Sequence, residues 1–211
     1  MHQIEIWNKR FGAENRKDCL SKDVWIANYD KYFTIKKNDT IIDLGCGIGE
    51  NSQYLYNRGF SVISCDFSPV VLDKIKSVNK FIPTICFDMT REFPISKGTI
   101  GIVLASLSTH YFPLSETKIL YRRIFDILNN NGYFIFRVNS LTEYDENDKD
   151  KMVSKIEDDY YLLNDGTTKR YFSTESMAAL LSNFHIAQLR ENSLMYYGKR
   201  KYFIEGLAQK K

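Results

Sequence analysis

Along this chain, short apolar runs bounded by glycine, proline or an acid alternate with stretches that carry apolar residues at helical spacing. Runs at 41–44, 60–65, 81–87, 99–107 and 133–138 read as strands, and 99–107 (TIGIVLASL), the most apolar of them, predicts a central one. Helices are expected at about 49–58, closed by Gly59 in a left-handed C-cap, and from Ser68-Pro69, with proline in the first turn. A further helix is expected over 115–129, where Ile119, Leu120, Ile124, Phe125, Ile127 and Leu128 are helically spaced. An amphipathic helix at 21–34, capped by Ser21 or Asp23, precedes the first strand. Asn130, Asn131 and Gly132 predict the turn into the fifth strand. Strand and helix in strict alternation indicate an α/β fold with a doubly wound sheet and helices on both faces.

The pattern breaks after residue 140. Residues 142–159 hold eight acids against three lysines and read as a solvated, mobile surface segment. Tyr160, Tyr161, Lys169, Arg170, Tyr171 and Phe172 follow. Ser173 is a candidate N-cap for a helix at 174–182; with Ser176 three residues on, no capping box is expected. Runs at 185–190 and 201–208 predict two strands that are antiparallel neighbours. The 211 residues fit one domain, with 1–35 as a helical extension and 141–172 as an insertion, and no repeat or linker divides them.

The densest chemical signal is IIDLGCGIGE at 41–50: a β-branched strand ending in an acid, then glycines at 45, 47 and 49. Gly45 and Gly47 permit a sharp turn and a close backbone approach to a ligand, and helical sequence follows at once, with unpaired N–H groups at its start. The second strand ends in Asp66, placed to accept both hydroxyls of a ribose. A nucleoside-bearing cofactor is therefore expected. A dinucleotide fingerprint needs a third glycine five residues after the first, where this chain has Glu50, a carboxylate that would face a pyrophosphate. A nicotinamide-dependent oxidoreductase is thus the rival reading.

Composition narrows the field. A net charge of +3 gives no case for a dedicated nucleic-acid binder. The sequence MHQIEIWNKRFG lacks the apolar core of a signal peptide, and no apolar run approaches the ~20 residues that span a bilayer, so a cytoplasmic location without a membrane partner is expected. Cys19, Cys46, Cys65 and Cys86 have no paired spacing and no histidine companions; they read as reduced core residues, and no metal is expected.

The G-x-G-x-G spacing with an acid two residues ahead resembles the first motif of the class I S-adenosylmethionine-dependent methyltransferases. From about 22 to 208 the order of elements is similar to a complete member of that family: a Rossmann-like sheet of seven strands, mostly parallel, with an antiparallel last strand. The resemblance implies S-adenosylmethionine as cofactor and S-adenosylhomocysteine as product, with Asp43, Gly45, Cys46, Gly47 and Gly49 in the first motif and Asp66 on the ribose. It places Phe67 on the adenine, Asp88 on the adenine amino group, the Met89 N–H against the ring, and Ser106 in the fourth motif. The cofactor is cationic and carries no phosphate, so Asp43 and Glu50 are acceptable beside it. The stretches at 105–112, 137–140 and 169–172 look like small bacterial enzymes of the tellurite-resistance and thiopurine type. Amino-group methyltransferases acting on DNA bases carry Asn or Asp followed by Pro-Pro and an aromatic where this chain reads Ser106-Leu107-Ser108-Thr109.

These features imply methyl transfer to a small-molecule acceptor. The alternatives are a module that binds the cofactor without transferring from it, and a methyltransferase acting on RNA or protein. His110 and Tyr111 are the candidate catalytic residues, His110 serving either as a base or as a group that only shapes the loop. Asn139, Tyr160, Tyr161, Arg170 and Tyr171 are candidate acceptor-binding residues. In this reading the aromatic part of 141–172 covers the acceptor while its acidic part stays in water. Two other readings stay open: Arg170 pairing with the acidic stretch, and the tyrosines packing under a surface loop.

Overall fold

The computed structural model describes residues 2–12, 25–196 and 198–211. The elements are α1 (His2–Gly12), a 3-10 turn (Trp25–Tyr29), α2 (Asp30–Ile35), β1 (Thr40–Leu44), α3 (Glu50–Asn57), β2 (Val62–Asp66), α4 (Pro69–Val78) and β3 (Thr84–Cys86). They continue as β4 (Ile100–Ser106), α5 (Leu114–Ile127), β5 (Leu128–Asn139), α6 (Leu141–Glu143), β6 (Met152–Glu157), β7 (Tyr160–Leu163), β8 (Thr168–Arg170), α7 (Thr174–Leu180), β9 (His185–Tyr196) and β10 (Lys199–Gln209).

Seven strands form one sheet in the order β3-β2-β1-β4-β5-β10-β9, parallel except for β10, which runs antiparallel to both neighbours. The chain winds outward from β1 to one edge and then outward from β4 to the other. The carboxyl ends of β1 and β4 therefore flank the switch point, where doubly wound sheets bind ligands. One face packs Val103, Phe134 and Phe136 against Leu120, Ile124 and Met177 of α5 and α7. The other packs Ile41, Ile102 and Leu104 against Leu55, Val71 and Ile75 and against Trp25, Ile26 and Phe33. No helix among the described residues is long and apolar enough to cross a membrane.

Several local expectations change. Of the helix expected at 21–34, residues 21–24, with both candidate caps, lie outside the described residues, as does Cys19; the remainder divides into the 3-10 turn and α2. β3 is only three residues long, Phe81 is exposed, and Cys86 is exposed rather than part of the core, because β3 is an edge strand. The turn at 130–132 lies inside β5 as a bulge: Asn131 has φ of 60°, and the register jumps from Ile100↔Leu128 to Ile102↔Tyr133. Ser173 does form a capping box, since the Ser176 hydroxyl accepts its N–H at 3.0 Å and so does the work of the usual Glu or Gln.

The largest correction concerns 142–159. Residues 141–151 are helical, Ser140 capping the first turn by accepting the Glu143 N–H, and 152–170 form a three-stranded antiparallel sheet, β6-β7-β8. Glu143 and Asp148 are buried, not solvated. Besides the local Lys151 on Asp148, cationic partners come from β8 and β10, far along the chain, where local composition did not reveal them.

Candidate active site

β1 is buried along its length because a helical layer covers each face of the sheet, and it delivers Asp43 to the switch point. Beyond it, Gly45, Gly47 and Gly49 all have φ between 53° and 83°. The Gly45 and Cys46 N–H groups both donate to the Cys65 carbonyl, at 2.8 and 3.0 Å. A Cβ on Gly45 would run into the Ser108 side chain, so this glycine is required by the close approach of the β4 loop as well as by its φ. Ser108 also donates its hydroxyl to the Leu44 carbonyl at 2.7 Å.

Asp66 ends β2 with its carboxylate under this loop. One oxygen accepts the Gly47 N–H at 3.2 Å and the other the Ser68 N–H at 3.0 Å. Burial pushes the Asp66 carboxyl up while those N–H groups pull it down. Asp43 is 1% exposed and accepts from the Ser52 hydroxyl at 2.7 Å, which in turn accepts from Ser64. Burial pushes its carboxyl up to about 6, and the neighbouring Asp66 adds to the shift. Both carboxylates also raise the buried thiols of Cys46 and Cys65. Among the described residues neither acid has a cationic partner. Two acids beside a glycine loop without a cation suit a ligand that brings a ribose and positive charge, so these residues fit S-adenosylmethionine.

The other expected cofactor residues surround this loop. Phe67 is half-buried beside Asp66, and Met89 is buried within reach of Gly45. Asp88 is exposed and folds one oxygen back onto the Thr90 N–H and hydroxyl, both at 2.8 Å. Ser106 accepts from Arg137 Nε and Nη2 at 3.3 and 3.1 Å, so its hydroxyl joins β4 to β5. Arg137 lies over the Trp25 and Phe203 rings at 4.3 and 5.0 Å.

Leu107, next to Ser106, has φ of 55°, a strained value for a large side chain. Its N–H is held by the Arg137 carbonyl at 2.8 Å. This corner sends Ser108 under the glycine loop and buries His110, which is 1% exposed. The His110 ring packs tilted at 38° against Tyr111 with centroids 4.3 Å apart, and Tyr111 meets the edge of Trp7 from α1 at 5.0 Å. α1 is fixed in turn where the Ser68 hydroxyl, which caps α4, donates to Asn8 at 2.6 Å. Burial, with Lys201 and Lys169 nearby, pulls the His110 imidazole well below its usual range, so it is neutral at pH 7.

The insertion meets the same corner through its backbone. The Arg170 N–H donates to the His110 carbonyl at 2.7 Å and the Phe172 N–H to the Asn139 carbonyl at 3.0 Å. The stretches 137–140 and 169–172, separate in sequence, are therefore bonded neighbours. The side chains expected on the acceptor are mostly committed elsewhere. Arg170 is buried, pairs with Glu157, donates to the Phe112 and Asp158 carbonyls and lies over Tyr160. Tyr160 donates to the Tyr111 carbonyl at 3.1 Å, Tyr171 to Asp148 at 2.8 Å, and Tyr161 stacks on Tyr144. These bonds tie Arg170 and Tyr171 within the insertion and, through the Tyr111 and Phe112 carbonyls, tie Tyr160 and Arg170 to the loop after β4. Asn139 is the exception, buried with no partner for its carboxamide.

Sequence reasoning missed Leu107, Ser108 as a loop support, Trp7, and the buried pairs Lys169–Asp148 and Lys201–Glu143, at 2.7 and 3.2 Å. Each acts through contacts between distant segments, with no local spacing to mark it.

Residues 42–136 match a family model described as a methyltransferase domain. The human tRNA N(3)-cytidine methyltransferase METTL2B is 22% identical over 157 residues, which are 67% of this chain but only 40% of that protein. A solved S-adenosylmethionine-dependent methyltransferase from Methanosarcina mazei superposes with a TM-score of 0.75 at 17% identity, over 89% of this chain and 97% of that one. The Burkholderia thailandensis 1,6-didemethyltoxoflavin-N1-methyltransferase, solved with its substrate and S-adenosylhomocysteine, gives 0.70 at 13% identity, over 99% and 88%. With the strand order, the superpositions give the chain the fold of the class I S-adenosylmethionine-dependent methyltransferases, and residues 42–136 match a methyltransferase domain within it.

Proposed function

We propose that this protein transfers a methyl group from S-adenosylmethionine to a small-molecule acceptor held between the ends of β4 and β5. The observation that carries this reading is enclosure. The insertion binds the His110 and Asn139 carbonyls from one side, while α1 lays Trp7 against Tyr111 from another. An acceptor held there would have both segments beside it, which suits a small molecule better than a folded RNA. The toxoflavin enzyme, similar in fold over nearly the whole chain, acts on a small molecule, which supports the same reading. The tRNA enzyme shares with this chain only part of its own length.

Asp66 would take the ribose hydroxyls, the backbone of 45–49 would pass beside the amino-acid end, and Asp43 would offset positive charge there. When bound, S-adenosylmethionine supplies a methyl group already activated on a sulfonium. The chain's own task is then alignment of an acceptor lone pair and exclusion of water. His110, neutral and buried, offers a hydrogen-bonding nitrogen; its lowered proton affinity makes it a weak base, so positioning is the role we assign it. Incubation with methyl-labelled S-adenosylmethionine and fractionated cell extract tests this reading. Label should enter the small-molecule fraction. Label confined to tRNA or protein would overturn the acceptor class, and cofactor binding with label in no fraction would favour a binding module.

A further inference from the structure

Three buried side-chain atoms among the described residues have no hydrogen-bond partner: His110 Nδ1, Asn139 Nδ2 and Asn139 Oδ1. A buried polar atom left unpaired costs about 1–3 kcal/mol, and folded proteins seldom leave one so. Here three fall on two residues, at the carboxyl ends of adjacent strands in the region assigned to the acceptor.

The backbone fixes how close the two residues lie. Their carbonyls accept N–H groups of Arg170 and Phe172, two residues apart on an extended segment. Such groups point to the same edge about 7 Å from one another. The backbones of the two residues are therefore gathered at one corner, within the reach of a single ring. The flat imidazole of His110, in an aromatic corner with Tyr111 and Trp7, suits a planar occupant.

The surrounding charges argue against an anionic group. Lys169 is paired with Asp148, Lys201 with Glu143 and Arg170 with Glu157. A carboxylate would also set its oxygens against Asn139 Oδ1, which needs a donor. A carboxamide places one donor beside one acceptor, and its complement is the same pair reversed: a ring N–H next to a ring C=O.

We propose that Asn139 and His110 recognise the acceptor as a planar heterocycle with a lactam edge. Asn139 Nδ2 donates to the ring carbonyl, Asn139 Oδ1 accepts the ring N–H, and His110 Nδ1 meets a further polar atom of the same ring. This proposal rests on the reading of this corner as the acceptor end, so its test measures cofactor and acceptor separately.

Ligand-observed saturation-transfer NMR would be recorded on the full chain saturated with S-adenosylhomocysteine, using uracil and hypoxanthine as lactam probes and benzoate and catechol as controls. The lactams should receive saturation and the controls should not. Asn139→Leu should weaken lactam binding at least tenfold while S-adenosylhomocysteine affinity, by calorimetry, stays within twofold. If Asn139→Leu does not fold, His110→Phe replaces it with the same expectation. Lactam binding unchanged in the variant, preference for benzoate or catechol, or no lactam binding (the atoms then holding only water) would overturn the proposal. Failure of S-adenosylhomocysteine itself to bind would instead overturn the methyltransferase reading.

Discussion

Two buried clusters of charge sit at the carboxyl end of this sheet, and they are built on opposite principles. In the insertion, Asp148 receives Lys169 and Lys151 at 2.7 Å each and Tyr171 at 2.8 Å, and Glu143 receives Lys201. Lysines beside it hold the Asp148 carboxyl well below the usual carboxylate range despite the opposing effect of burial. At the glycine loop, Asp43 is held by the hydroxyl and the backbone N–H of Ser52 and Asp66 by backbone N–H groups, with no cation on either among the described residues, and burial raises both. The first cluster neutralises itself and serves as a platform. The second remains short of positive charge, as befits a site whose cation arrives with the ligand.

Breaking the platform should have the largest effect. Asp148→Ala leaves the half-buried Lys169 without its carboxylate and should cost about 3 kcal/mol of stability at pH 7, the low end for breaking a buried pair, read from urea unfolding. Because the Asp148 carboxyl is lowered in the fold, its contribution is present above the unfolded value near 3.8 and is lost as pH falls through the folded one. Variant and parent should therefore converge in acid.

Asp43 should show the opposite sign. Its carboxyl moves from 3.8 in the unfolded chain to about 6 in the fold, so folding binds a proton more tightly. The stabilisation is full below about pH 4 and is lost as pH rises through 6. Relative to the parent, Asp43→Asn should gain about 2–3 kcal/mol between pH 4 and 7 by the same unfolding measurement. Its affinity for cationic S-adenosylmethionine should fall over that range; equal affinity would mean that the carboxylate does not sense the ligand's charge.

Asp66→Ala should weaken S-adenosylhomocysteine binding by about 1.5–3 kcal/mol, the range for hydrogen bonds to a charged acceptor, as measured by calorimetry. Parent-like binding by a folded variant would place the ribose elsewhere. The smallest effect belongs to α1. Trp7→Ala removes an edge-on ring contact worth about 0.5–1.5 kcal/mol. It should change acceptor KM several-fold and kcat little; hydrogen exchange at 107–112 should rise.

The glycine loop and its acids were legible in the sequence because their backbone demands are local. Glycines at 45, 47 and 49 take φ values that other residues resist, and an acid at a strand end is a feature of one segment. The insertion was misread for the converse reason. Eight acids within eighteen residues look solvated until Lys169 and Lys201 are brought to two of them. Arg170 illustrates the same limit: its type suggested an acceptor anion, and packing spends it on Glu157 and two carbonyls.

What the sequence determined by itself was the alternation of strand and helix and the glycine turn after the first strand, since hydrophobic period and glycine φ are properties of neighbouring residues. Only the tertiary structure decided which buried charges cancel, that Leu107 turns the β4 loop under Gly45, and that His110 and Asn139 are left with unpaired atoms at one corner. Those outcomes depend on contacts such as Asp148–Lys169, Glu143–Lys201 and Leu44–Ser108, 21, 58 and 64 residues apart in the chain, and a hydrogen bond or ion pair across such a distance leaves no spacing in the sequence to read.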